Sequence, residues 1–157
     1  MRYDFNADDV FEMAEQMERN GAKFYKEAAE SIDDQDARAM LLKFADMEIE
    51  HEKTFSDLRK NLTTDEKTPT VFDPNGESVL YLRALADTRV FFEKTIDFST
   101  LESILKAAIE AEKDSIVFYL GMKEAVPDKM GKARLDDIIK EEMGHIRLLS
   151  RELVALR

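Results

Sequence analysis

No cysteine occurs in the 157 residues, which excludes disulfides, thiolate metal sites, iron–sulfur clusters and cysteine nucleophiles. Glycine and proline are scarce, with five and three, so few positions could interrupt a long helix. Histidine is scarcer, with two. No stretch approaches the apolar length of a membrane span, and the start, MRYDFNADDV, lacks the apolar run of a signal peptide. A soluble cytoplasmic protein with no membrane partner is the resulting expectation. Basic charge is in deficit: 23 Lys and Arg stand against 34 Asp and Glu, for a formal net charge of −11. That argues against a nucleic-acid partner, because phosphate backbones are held by clustered cations. What the chain does have is a mix of 44% hydrophobic and 36% charged residues, the composition of amphipathic helices. Its length suits one domain, 1–157. Cations are natural guests of so many carboxylates, and the question becomes which carboxylates face inward.

Apolar residues recur at helical spacing through Val10, Phe11, Ala14, Met17, Gly21, Ala22, Tyr25 and Ala28, predicting a first helix near 7–31 with Asn6 as its cap. After the polar turn SIDDQD, the stripe Leu41, Leu42, Phe44, Ala45, Phe55 and Leu58 predicts a second helix over 35–60. Residues 61–76 hold two of the three prolines and read as irregular chain. ESVLYLRALADTRVFFEKT predicts a shorter helix within a crossover spanning 61–99. Ser99 with Glu102 makes a capping-box pattern that opens a third helix near 100–125. A fourth follows near 129–156. Two helical hairpins with one long connection give an all-α fold, a four-helix bundle.

The two hairpins repeat each other. Glu112 stands 94 positions after Glu18, and the same offset carries Ala14, Phe24, Tyr25, Glu30, Leu41, Glu48 and His51 onto identical residues. Other acidic positions drop out: Glu15 falls on Ile109, Glu50 on Gly144 and Glu52 on Ile146. Glu18 shares a face with Phe11, Ala14, Ala22 and Tyr25, and Glu112 with Leu105, Ala108, Ile116 and Tyr119. Glu48 lies in line with Leu41 and Phe55, and Glu142 with Leu135 and Leu149. Four carboxylates therefore point into the bundle, where an unpaired charge costs several kcal/mol or forces protonation. Two divalent ions would neutralise them. Glu-x-x-His places both side chains on one helical face, and Glu48/His51 and Glu142/His145 join Glu18 and Glu112 in the ligand set of di-metal carboxylate bundles. Oxygen and imidazole donors suit iron or manganese, with zinc a further candidate. Met17, Met47 and Met143 lie near these positions and are expected to line them.

At these residues the chain resembles the rubrerythrin family of the ferritin-like superfamily, over both hairpins, both Glu-x-x-His pairs and the Tyr seven places after each lone Glu. The resemblance implies that Glu48 and Glu142 bridge two irons. It also implies that Glu18, Glu112, His51 and His145 are terminal ligands, and that Tyr25 and Tyr119 hydrogen-bond ligand carboxylates. It further implies a homodimer and the reduction of hydrogen peroxide at a diferrous site during oxidative stress. Alternatives are a ferroxidase that handles iron with dioxygen or peroxide, and a non-catalytic metal-binding scaffold. Two departures stand out. The cysteines of a rubredoxin domain are missing, so electrons would come from a separate, rubredoxin-like donor. Ser115 and Gly21 occupy the places where many relatives carry, or could carry, a further glutamate, so a more symmetric site of six ligands is the expectation.

Overall fold

The computed structural model describes residues 7–61, 81–82, 96–125 and 132–157. Four helices form the frame: α1 (Ala7–Ser31), α2 (Gln35–Lys60), α3 (Leu101–Ala125) and α4 (Lys132–Ala155). No strand occurs among the described residues. α1 lies along α2 and α3 along α4, with α1 also meeting α3. The bounds agree with the periodicity to within a residue wherever both ends are described. The cap expected at Asn6, the start of the fourth helix at 129 and most of the crossover lie outside the described residues.

Local chemistry sets the helix ends. Asp34 caps α2, its carboxylate accepting from the Ala37 amide at 3.0 Å, which satisfies one of the donors a helix start leaves unpaired. At α3 the capping box expected from Ser99 and Glu102 does not form. Thr100 is the cap instead: its hydroxyl accepts from the Ser103 amide at 3.1 Å, and its carbonyl accepts the first helical bond, from Ile104. The Ser99 amide is drawn the other way, donating to the Asp97 carboxylate at 2.9 Å. Neighbouring hydroxyls competed for one cap, and the Asp97 turn decided between them.

The core runs the length of the bundle in two clusters. One gathers Phe11, Phe55, Phe118, Tyr119, Met122 and Leu135; the other gathers Tyr25, Leu41, Phe44, Ile104, Leu105 and Leu149. Leu42, assigned to the α2 stripe by periodicity, is 44% exposed, since a step of one residue from Leu41 turns it roughly 100° round the helix. From the crossover, Leu82 is fully buried in the first cluster, and Tyr81 packs on Gly121 so closely that a Cβ there would sit 2.6 Å from the ring. Glycine on α3 thus gives the crossover its seat.

The capping assignment is testable by urea denaturation. Thr100→Ala is expected to lower stability by about 1 kcal/mol, and Ser99→Ala by less than about 0.5 kcal/mol. The reverse ranking would restore the Ser99 box.

Candidate metal centre

Midway along the bundle, between the two apolar clusters, Glu18, Glu48, His51, Glu112, Glu142 and His145 are each 5% exposed or less. All six residues singled out by the repeat arrive together. Ligand-capable atoms of Glu18, Glu48, His51 and Glu142 lie within 4.8 Å of one another, and so do those of Glu48, Glu112, Glu142 and His145. Glu48 and Glu142 belong to both groups. Glu30 and Glu124, which the repeat also matches, are exposed. Repetition alone did not select the cluster; repetition on the apolar stripe did.

The hairpins are tied across the site reciprocally. Tyr25 of α1 donates to Glu112 of α3 at 2.5 Å, and Tyr119 of α3 donates to Glu18 of α1. Each tyrosine thus supports the lone glutamate of the opposite hairpin. This crossing of later with earlier residues also shows that α1 and α3 run antiparallel. Both histidines turn Nδ1 inward. His51 Nδ1 is 3.1 Å from Glu142 and 3.4 Å from Glu18, and His145 Nδ1 is 3.2 Å from Glu112 and 3.3 Å from Glu142. The imidazole rings lie nearly parallel, 6.2 Å apart, and Phe44 covers that of His145 at 4.8 Å.

Electrostatics show what the cluster needs. Burial, reinforced by the charges of neighbouring carboxylates, pushes Glu18 and Glu48 well above the usual range and Glu112 up to about 8. Burial would raise Glu142 too, but hydrogen bonds with Glu112, His145 and His51 outweigh it and hold that carboxyl below its usual range. For the histidines burial works downward. Hydrogen bonds to Glu142 and Glu141 lift His51 to about 9, and those to Glu112 and Glu142 lift His145 to about 10. Tyr25 and Tyr119 are driven up by burial and by Glu112 and Glu18 respectively, so they remain phenol donors. Without a metal, protons do the neutralising. Even so, one buried oxygen of Glu18 and one of Glu142 have no hydrogen-bond partner, a condition rare among buried polar atoms. Acceptors without donors, carboxylates common to two groups, and inward imidazole nitrogens fit a pair of divalent ions and an oxygen- and nitrogen-loving metal.

One participant escaped the sequence: Glu141, which accepts from His51 Nε2. Met47, expected to line the site, does so, with its Sδ 3.3 Å from His145 Nε2. Gly21 leaves room for a ligand-capable carboxylate: a Cβ there would stand 3.2 Å from Glu48 Oε2. The Ser115 hydroxyl donates back to the Ala111 carbonyl at 3.1 Å within its own helix. Met17 is buried in the core, while Met143 is 51% exposed and lines nothing. Glu15, which the repeat sets aside, is nevertheless buried, 3.1 Å from Arg59, which also grips Asp8 at 2.9 Å. Its charge has a fixed guanidinium partner, so it stands apart from the cluster. Glu50 is exposed, as expected.

Comparison with known proteins agrees with the fold. The rubrerythrin family model matches residues 9–153. A crystal structure assigned to a ferritin-like diiron-carboxylate protein of Thermotoga maritima superposes with a TM-score of 0.73 at 24% identity, covering 100% of both chains. That likeness shows the ferritin-like fold. No curated protein matches the chain.

The proton load has a measurable consequence. Glu112, raised from 4.5 to about 8, and His51 and His145, raised from 6.5 to about 9 and 10, bind protons more tightly folded than unfolded. Their stabilisation is complete below the unfolded values and is lost as pH rises through the folded ones. Glu142 has the opposite sign, but its window lies below 4.5. The melting temperature of chelator-treated protein should therefore fall steadily from about pH 5 to about pH 10. Divalent-metal affinity should rise over the same range, with proton release on loading. A melting temperature that climbs with pH would contradict the arrangement.

Proposed function

The chain belongs to the rubrerythrin family, and from that premise we propose that it is a non-haem di-iron oxidoreductase that reduces hydrogen peroxide to water. In this reading Glu48 and Glu142 would be shared by two irons, with Glu18 and His51 helping to hold one and Glu112 and His145 the other. The observation that carries the two-metal part of it is the membership of Glu48 and Glu142 in both four-residue groups, within the ligand set of di-metal carboxylate bundles. When bound, two ferrous ions supply the two electrons that cleave the O–O bond of peroxide, which takes up two protons to leave two waters.

The protein's share is placement. Tyr25 and Tyr119, donating across the bundle, keep Glu112 and Glu18 turned inward, and such outer partners fix ligand orientation. Inward Nδ1 atoms set both imidazoles for coordination. Flanking aromatic residues, Phe44 on His145 and Phe55 beside Tyr119 at 5.1 Å, restrict water and strengthen the local electrostatics. Ser115, bonded to its own helix, offers no further carboxylate toward which an iron could move. In this reading a rubredoxin-like donor would supply the electrons that restore the ferrous state.

His51→Ala and Glu142→Ala should each cut the transition-metal content of purified protein while leaving its metal-free helical circular dichroism intact. Glu50→Ala should load normally. Unchanged loading in both ligand variants would refute the assignment. Anaerobic, iron-loaded protein mixed with peroxide or with dioxygen separates the chemistries by absorbance. Oxidation should be markedly faster with peroxide, and faster oxidation by dioxygen would favour iron handling.

A further inference from the structure

The offset of 94 that matches the six cluster residues also relates Glu141 to Met47, the residue before Glu142 and the residue before Glu48. Here the repeat breaks, and the break falls at equivalent places in space. Glu141 receives the outer nitrogen of His51, and Met47 receives the outer nitrogen of His145. One histidine is backed by a carboxylate, the other by a thioether. We propose that Glu141 is a positioning residue that makes the His51 end of the centre the tighter metal position, with Met47 leaving the His145 end weaker.

The physical reason lies in the two faces of imidazole. Nδ1 of each ring faces the carboxylate cluster, so coordination there requires the mobile proton to sit on Nε2. A carboxylate accepting that proton fixes the tautomer, holds the ring plane and raises the basicity of the coordinating nitrogen. A thioether is only a weak acceptor. Glu141 is half exposed on its helix, with a side-chain accessibility of 50%, so its position is not dictated by core packing. It can be exchanged without opening a cavity. Two metal positions that look equivalent from their six ligands therefore differ through residues that touch neither metal.

The inference rests on the di-metal reading, and the test separates the two. Full-length, chelator-treated protein is titrated anaerobically with Co(II), followed by visible absorbance and calorimetry. Wild type should fill in two resolved steps. Glu141→Met, which copies the other end, should weaken the tighter step by about 10- to 100-fold and merge the two. Glu141→Gln, which keeps an acceptor oxygen without the charge, should recover part of the loss. In the Co(II)-loaded protein, the shifted Nε2 proton resonance of His51 should be sharp in wild type and broadened by solvent exchange in Glu141→Met. Two unchanged steps in Glu141→Met, with one ion lost in His51→Ala, would overturn the role of Glu141 and leave the metal centre standing. No Co(II) binding by wild type would overturn both.

Discussion

Four glutamates buried at the middle of a helical bundle cannot all carry charge without a counter-ion, and the rest of the structure is arranged around that constraint. Stranding even one unpaired carboxylate at such depth costs several kcal/mol. Glu18, Glu48 and Glu112 respond by holding protons, and two oxygens are left without donors. Glu15, equally hidden, has Arg59 within 3.1 Å and needs no such help. The contrast separates a structural ion pair from a site built to receive cations.

Binding such a cluster requires that its ligands stay put while the charge changes. The reciprocal bonds from Tyr25 to Glu112 and from Tyr119 to Glu18 serve that end. They join α1 to α3 across the hairpins, so the site also becomes part of what holds the halves together. Aromatic packing continues the same frame: Tyr25 meets Phe44 at 5.5 Å, and Tyr119 meets Phe55 at 5.1 Å. Support of the ligands and packing of the core are carried by the same residues, which ties the geometry of the centre to the stability of the bundle.

Much of this was legible in the sequence, because helical periodicity and an ungapped repeat are both one-dimensional signals. The helix spans followed from the apolar stripes, and the six cluster residues from superposing one hairpin on the other. What remained hidden lies in local turns and in contacts that neither the stripe nor the repeat records. The preference for Thr100 over Ser99 turned on a bond to Asp97. The burial of Glu15 turned on an arginine from another helix. Leu42 fell outside the stripe by a single residue's rotation. The six inner residues match in pairs under the repeat, whereas Glu141 and Met47, whose partners lie on the opposite hairpin, do not. That mismatch was visible in the aligned halves, but only the fold gives it a meaning.

The most direct measurement is anomalous diffraction at the iron edge from crystals of anaerobically iron-loaded protein. Two peaks are expected within one bundle, one beside Glu18 and His51 and the other beside Glu112 and His145, with Glu48 and Glu142 touching both. A single peak, or peaks away from these six residues, would contradict the assignment of the buried carboxylates as a di-metal centre.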